Sequence, residues 1–214
     1  MSSHDVGGVR LPDAVGGHPA LDFCNTRAGW GDPQPKEYLT APGVLGLWAY
    51  DNGLLPAPPA QAAGEEETLA RALALREALY GCALHRGTPE QWRLVTAEAV
   101  AARTLGRLAP GGPGEPARWL PPAGAGPAAT ALALVATAAE DLLTSSLAPF
   151  VAACPGEGCG WLFADRRGRR RWCSMAACGN RAKARRHAER RSTGGDDASG
   201  DLPAVSRRDA DKGV

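Results

Sequence analysis

Four cysteines near the end of the sequence have a spacing that suits a metal site. Cys154 and Cys159 are separated by four residues, as are Cys173 and Cys178, and thirteen residues lie between the two pairs. Zinc binds four thiolates in a tetrahedron, and structural sites commonly take two ligands from each of two turns. The spacing therefore predicts one structural zinc ion per chain, bound by these four cysteines.

The chemistry of four thiols leaves three other interpretations open. They are two disulfides, a site that releases zinc when its thiols are oxidised, and an iron–sulfur cluster. The sequence starts without a basic-then-apolar signal pattern and has no apolar run of about 20 residues, so we expect a cytoplasmic protein, in which disulfides are rare. Cys24 and Cys82 stand apart from the cluster, and we expect each to be a small buried residue.

Basic residues surround the second cysteine pair. Arginines precede Cys173, and a helix-competent run rich in arginine follows Cys178. Arginine can pair bidentately with phosphate or guanine, and asparagine with adenine, so these side chains have the chemistry to bind nucleic acid. The predicted contact residues are Arg169, Arg170, Arg171, Asn180, Arg181, Lys183, Arg185 and Arg186.

Charge is distributed unevenly along the sequence. Residues 1–153 carry 10 basic and 15 acidic groups, a net charge of −5, whereas residues 154–191 carry 11 and 3, a net charge of +8. Arginine outnumbers lysine 21 to 3, which is typical of a GC-rich genome. The alternative is therefore a solvated helix enriched in arginine, beside a mini-core of Trp161, Trp172 and Phe163. Uniform coding bias does not explain the asymmetry, which favours an anionic partner.

The elements that must position these groups are mainly helical. Apolar spacing predicts helices over about residues 40–52, 65–85 and 127–147, and Thr88 with Pro89 and Gln91 predicts a capping box that opens another. A turn-rich segment, 110–114, predicts a hairpin between residues 103 and 127. After the first cysteine pair we expect a strand over 161–163 and a return strand over 170–173. The first 17 residues are expected to be an irregular lead-in.

The expected fold is mainly α, with a multihelical N-terminal domain that includes a small β-hairpin. A small C-terminal zinc finger follows, built from a knuckle, a β-hairpin and a helix. The expected boundaries are residues 15–150 for the helical domain, 151–191 for the finger and 192–214 for a disordered tail. Such a finger has too few apolar residues to fold alone, so bound zinc would supply folding free energy.

One N-terminal segment is rich in polar chemistry. It contains Asp22, Asn25, Thr26 and Arg27. These side chains could line a pocket for a small polar effector, but such residues more often satisfy backbone groups at a turn or helix start. The sequence contains no nucleophile–base set, phosphate loop or paired-carboxylate motif, so we expect no enzymatic activity.

Two stretches carry a family resemblance. Residues 170–175, Arg-Arg-Trp-Cys-Ser-Met, and 178–183, Cys-Gly-Asn-Arg-Ala-Lys, resemble the CGNR zinc finger of bacteria. Residues 17–26 are similar to the start of the stress-induced transcription regulator (ABATE) domain usually found in front of it, and 140–145 resemble the stretch that leads into the finger. The resemblance covers about residues 15–191 and implies zinc ligation by the four cysteines and a DNA-binding role. Residues 164–168 depart from the family pattern, which leaves contacts from that turn in doubt.

These observations favour a zinc-dependent, DNA-binding transcription regulator, with a helical domain that senses a small-molecule effector or dimerises. The main alternative is a protein- or RNA-interaction module with a structural zinc finger, and the third is an enzyme with a pocket between the N-terminal helices. A small monomeric finger reads few bases, so we expect a homodimer.

Overall fold

The computed structural model describes residues 2–59 and 64–193. Within these residues the chain forms six α-helices and eight short strands, which confirms the mainly α fold class. The helices are α1 (Pro19–Cys24), α2 (Pro42–Asp51), α3 (Glu66–Ala83), α4 (Pro89–Leu105), α5 (Pro127–Thr144) and α6 (Asn180–Thr193). The strands are β1 (Ser3–Val6), β2 (Val9–Pro12), β3 (Arg27–Ala28), β4 (Lys36–Glu37), β5 (Arg107–Ala109), β6 (Arg118–Leu120), β7 (Val151–Ala153) and β8 (Leu162–Ala164). The expected tail, 192–214, lies outside the described residues except for 192 and 193, which end α6.

Helix α5 is the centre of the helical body, residues 2–150. It packs against α1, α2, α3 and α4. Its buried residues recur at intervals of three and four, from Ala128 to Leu142, as expected for a helix with one apolar face. That face shares a single core with Phe23, Trp48 and Leu79, all fully buried. Each buried residue of this size contributes about 1.5–3 kcal/mol, so this core stabilises most of the fold.

The helix starts follow from local capping chemistry. The capping box of α4 is present as predicted: Thr88 accepts a hydrogen bond from the backbone of Gln91, and the Gln91 side chain accepts one from the backbone of Thr88. Helix α5 lacks a side-chain cap of its own, and Glu65 replaces it by accepting hydrogen bonds from Ala128 and Ala129. The Glu65 carboxylate thereby also meets the positive end of the α5 dipole.

The strands form four separate antiparallel pairs, β1–β2, β3–β4, β5–β6 and β7–β8. The pair β5–β6 is the hairpin predicted between residues 103 and 127. The prediction of an irregular lead-in over the first 17 residues is wrong, because residues 3–12 form the hairpin β1–β2. Glycines at 7 and 8 supply the positive φ angles of its turn, and Leu11 is buried in the core. Each strand has four residues, which is too short for the alternation of apolar and polar side chains to stand out in a glycine-rich sequence.

The C-terminal segment, residues 151–193, differs from expectation in one pairing. Strand β8 pairs with β7, which precedes the first cysteine pair, and the described residues 170–173 do not form the expected return strand. Asp165 explains the difference, because its carboxylate accepts hydrogen bonds from the backbone of Arg167 and Arg170 and bends the chain there. The hairpin of the finger therefore encloses the first cysteine pair. None of the helices among the described residues combines the length and apolar content needed to cross a membrane.

Candidate metal centre and basic surface

The first cysteine pair lies in a tight turn between β7 and β8. The backbone N–H of Cys159 donates to the carbonyl of Gly156 at 2.9 Å, and that of Cys154 donates to the carbonyl of Trp161 at 2.8 Å. Gly160 adopts a φ of +68°, a left-handed backbone conformation that residues other than glycine rarely adopt. The turn therefore orients the sulfurs of Cys154 and Cys159 toward the second cysteine pair.

The second pair is held by a wide helical turn, Met175–Gly179, that runs directly into α6. Ser174 caps this turn by accepting a hydrogen bond from the backbone of Ala177. Cys173 precedes the cap and Cys178 lies within the turn, so the two sulfurs are brought together at the start of α6.

The four sulfurs fit one zinc ion. All four lie within 4.8 Å of one another, and Cys173 Sγ is 3.7 Å from both Cys159 Sγ and Cys178 Sγ. Zn–S bonds of about 2.3 Å in a tetrahedron require S–S separations of about 3.8 Å, whereas a disulfide requires about 2.05 Å. All four cysteines are buried and none forms a disulfide. The predicted structural zinc site is therefore confirmed at Cys154, Cys159, Cys173 and Cys178.

The electrostatics of the cluster also call for a cation. Hydrogen bonds from the Cys159 and Cys173 thiols lower the pKa of Cys154. The hydrogen bond to Cys154 in turn raises the pKa of the Cys159 thiol and of the Cys173 thiol. Four thiolates at this separation repel one another, so they coexist only around a metal ion.

Arg181 contacts the metal site directly. Its Nη2 donates to Cys178 Sγ at 3.0 Å, and this contact raises the pKa of the Arg181 guanidinium. Such hydrogen bonds to ligating atoms orient the ligand and tune the metal. A residue predicted for nucleic-acid contact thus also stabilises a zinc ligand.

The C-terminal segment is docked onto the helical body by backbone-directed hydrogen bonds. The buried side chain of Asn25 donates from Nδ2 to the carbonyl of Leu162 at 2.9 Å and accepts from its N–H, at Oδ1, at 2.7 Å. The carbonyl of Cys159 accepts from the N–H groups of Gly29 and Trp30, each at 3.2 Å. A metal ligand is therefore held on both sides, by zinc through its sulfur and by the helical body through its carbonyl.

Aromatic contacts complete this interface. The rings of Trp30 and Tyr80 stack with centroids 3.6 Å apart, and the Tyr80 hydroxyl donates to the carbonyl of Gly160 at 2.8 Å. The indole N–H of Trp161 donates to the carbonyl of Arg27. One apolar cluster joins the four cysteines with residues of both parts: Ala28, Tyr38, Trp161 and Phe163, flanked by Val15, Trp30 and Trp172.

The polar N-terminal segment, which contains Asp22, Asn25, Thr26 and Arg27, makes contacts within the protein. Asp22 Oδ1 accepts from the backbone N–H groups of Val15 and Gly16, and burial raises the pKa of its carboxyl. Thr26 donates to the carbonyl of Phe23 and accepts from buried Arg76, while Arg27 pairs with Glu77 at 2.7 Å. Asp22, Asn25 and Thr26 thus perform the expected backbone-satisfying role, whereas Arg27 pairs with a side chain. Cys24 and Cys82 are fully buried, as expected.

The predicted nucleic-acid contact residues fall into two groups. Three are engaged within the molecule: Arg181 at Cys178, Arg185 paired with Glu157 at 2.7 Å, and Arg170, which donates to the carbonyls of Val15 and Cys173 and lies over the Phe163 ring. The others are exposed, with at most local contacts: Arg169, Arg171, Asn180, Lys183 and Arg186.

The two basic stretches meet at Trp172. Arg169 and Arg171 line a surface cavity of about 360 Å³ with Trp172, and Arg181 and Arg185 line another of about 200 Å³ with the same residue. The structure therefore brings the residues before Cys173 and those of α6 to one side chain.

Sequence reasoning missed Gly29, Trp30 and Tyr80 as residues that hold the metal site. Their partners are backbone carbonyls more than a hundred residues away for Gly29 and Trp30 and 80 residues away for Tyr80. No pattern within a short window signals such contacts.

Two family models match the chain. The ABATE model, described as "Putative stress-induced transcription regulator", matches residues 17–146, and the CGNR zinc finger model matches residues 151–191. No curated protein matches the chain. Both matches agree with the families that the sequence resembles. The chain therefore belongs to the ABATE family and carries a zinc-binding CGNR finger directly after the ABATE domain.

Proposed function

We propose that the chain is a zinc-dependent, DNA-binding transcription regulator, in which the basic surface of the C-terminal segment contacts DNA. The observation that carries this proposal is α6, a basic helix whose start is fixed by a zinc ligand and whose remaining length projects into solvent. Ala182 is buried, whereas every residue from 183 to 191 is exposed.

Helix α6 has no apolar face that its own fold could cover. Six of its fourteen residues are arginine or lysine, and one is acidic. A helix of this length is marginal in water without packing, and a helix that is polar all round needs a partner or many side-chain pairs. At about 1.5 Å per residue it is about 21 Å long, and the major groove of DNA, about 12 Å wide, admits a helix.

Several basic side chains are available for phosphate. Within the described part of the chain, no hydrogen bond or ion pair engages the side chains of Arg169, Lys183 or Arg191, and Arg171 only stacks on Trp172. The acidic body, with its net charge of −5 over residues 1–153, would repel a polyanion. The charge distribution therefore favours an approach of DNA from the α6 side. Docking of the finger onto the body would fix that orientation, and a homodimer would present two such surfaces to two half-sites.

Duplex DNA can be distinguished from other anionic partners by anisotropy titrations with labelled duplex DNA, duplex RNA and single strands at several salt concentrations. Enrichment of a sequence from random duplex, with a slope of log Kd against log salt near +4 for about four phosphate contacts, supports the proposal. Tighter binding of RNA, or salt-independent binding, contradicts it.

A matched pair of variants localises the surface. Lys183→Ala should weaken DNA binding and reduce the salt slope by about 1. Arg93→Ala removes a comparably exposed cation from α4, 73% exposed and paired with Glu90, and should leave DNA binding unchanged. Equal effects of the two variants would show that the binding is not directed to α6.

A further inference from the structure

A second feature of the helical body is a cavity between α4 and α5. It has a volume of about 350 Å³, and most of its lining surface is apolar. Its lining includes Trp92, Ala99, Val100, Arg103, Glu140 and Thr144. Small-molecule sites have volumes of about 300–1,000 Å³ and an apolar lining with few polar groups, so the cavity has the size and character of such a site.

Two large apolar residues that line this cavity are exposed to solvent. Trp92 is 42% exposed and Val100 is 57% exposed. Both lie on α4, which packs against α3 and α5 and whose buried residues are Val95 and Ala102. Burying such surface is worth about 25 cal/mol per Å², so a ligand that covered it would gain affinity from contacts that the folded chain does not itself make.

The charged residues of the cavity favour a cation over an anion. Arg103 is neutralised twice, because its Nε contacts Glu140 at 2.7 Å and its Nη2 contacts Asp141 at 3.3 Å. Its face is covered by Trp119 at 4.7 Å, and its Nη1 is buried from solvent without a hydrogen-bond partner among the described residues. One cation between two carboxylates leaves a local charge of −1, and the Glu140 side chain is 39% exposed at the cavity. Glu140 and the face of Trp92 can therefore both attract a positive group.

We propose that this cavity binds a small organic cation with an apolar or aromatic body. The apolar body lies against Val100 and Ala99, and the cationic group lies beside Glu140. This inference deepens the proposed regulator function by naming the class of effector, but binding at the cavity does not depend on DNA binding. Helix α5 ends at Thr144, which lines the cavity, ten positions before the zinc ligand Cys154, so an occupant would contact the element that leads into the finger.

Three probes that share one aromatic body test the charge preference directly. They are (naphthylmethyl)trimethylammonium, naphthylmethanol and naphthylacetate, titrated by calorimetry into the full-length zinc-loaded protein without DNA. The cation should bind about tenfold more tightly than the anion, a difference of about 1.4 kcal/mol. Equal or tighter binding of the anion overturns the proposal, and so does the absence of saturable binding by the cation at millimolar concentration.

Variants localise the site. Glu140→Gln should weaken binding of the cation about tenfold, leave the neutral probe unchanged and strengthen the anion, because Arg103 loses one partner. The matched control is Glu98→Gln on α4, which removes a carboxylate that pairs with Arg71 outside the cavity and should change none of the three. Ala99→Phe should fill the cavity and abolish binding of all three probes. If Ala99→Phe alters the helical circular dichroism, the comparison of Glu140→Gln with Glu98→Gln decides, and equal effects of those two overturn the proposal.

Discussion

Asn25 and Leu162 are joined by two hydrogen bonds that connect the helical body to the zinc finger. The Asn25 amide occupies both backbone groups of Leu162, at 2.9 and 2.7 Å, and both residues are completely buried. The amide thus acts on the free edge of β8 as a neighbouring strand would, on the side away from β7. The finger is consequently fixed on the body rather than tethered to it.

Replacement of Asn25 tests this docking. Asn25→Ala leaves the N–H and carbonyl of Leu162 buried without partners and should lower the free energy of unfolding by about 2–4 kcal/mol. Asn25→Asp should also destabilise, because a carboxylate cannot donate to the Leu162 carbonyl. Denaturant unfolding of the zinc-loaded protein measures both. Asn180→Ala is the control, since the Asn180 side chain is exposed and its hydrogen bond, within the part of the chain that the structure describes, is to Ala176 of the same segment. Equal losses for the two alanine variants would contradict the docking role of Asn25.

Gly160 provides an independent test at the zinc knuckle. It has a φ of +68°, and an added Cβ would lie 2.6 Å from the Cβ of Trp30. Gly168 has a similar φ of +61° but no neighbour within 4 Å of an added Cβ. Gly168→Ala should therefore cost only the backbone strain of about 1–2 kcal/mol, whereas Gly160→Ala should cost clearly more because Trp30 must move.

The thermal midpoint and the tryptophan fluorescence, to which Trp30 contributes, report that difference. A red-shifted emission in Gly160→Ala but not in Gly168→Ala indicates that the interface has opened. Identical midpoints for the two variants would mean that the close approach of Gly160 to Trp30 has no energetic consequence.

Arg181 should affect the affinity of the protein for zinc as well as its affinity for a nucleic-acid partner. Removing its hydrogen bond to Cys178 Sγ in Arg181→Ala should weaken zinc binding about tenfold, the usual effect of losing a group that orients a metal ligand. Competition with a chromogenic chelator measures the affinity. Lys183→Ala, two positions along the same helix and exposed, should leave zinc affinity unchanged. A similar loss in both variants would indicate a general effect of charge rather than the contact with sulfur.

His4 gives the fold a pH dependence that does not involve the metal ligands. Its ring contacts Asp13 at 2.9 Å and Asp51 at 3.1 Å, and these hydrogen bonds raise the pKa of His4 above 6.5. A raised histidine pKa means that the stabilisation is fully present below the unfolded-state pKa of about 6.5 and is lost as the pH rises through the folded-state pKa. His4→Gln should therefore destabilise the protein by ~0.5 kcal/mol at about pH 5 and by less at about pH 9, the value being small because the His4 side chain is 42% exposed and solvent screens the pair. Thermal unfolding of both proteins at the two pH values checks the sign, and a larger loss at the higher pH would contradict it.

Some of the structure follows from short sequence patterns. Equal spacing within two cysteine pairs identifies the zinc ligands because four thiolates converge only on a metal or in disulfides. The capping box at Thr88 and the apolar periodicity of α3 and α5 are local too, and each helix begins within two residues of the predicted position.

Other parts depend on contacts that the sequence does not reveal. The finger was expected to close on itself through residues 170–173, but its strand β8 pairs with β7 and its open edge is bound by Asn25, 137 residues away. The sequence predicts Arg170 as a nucleic-acid contact from its type and its place in the basic run before Cys173, whereas in the structure its guanidinium bonds to the carbonyls of Val15 and Cys173. An exposed and an engaged arginine look the same in a sequence, because burial and partners are decided by tertiary packing.

Zinc add-back with DNA binding as the readout tests the central claim most directly. Chelator-treated full-length protein, kept reduced, is titrated with zinc while the fraction of a selected duplex that it binds is followed by anisotropy. The proposed mechanism predicts that DNA binding is lost without zinc, recovers in proportion to added zinc and reaches its plateau at one equivalent per chain, the number implied by the one four-cysteine site among the described residues. DNA binding that is unchanged by zinc removal, or that never recovers when one equivalent is bound, would contradict it.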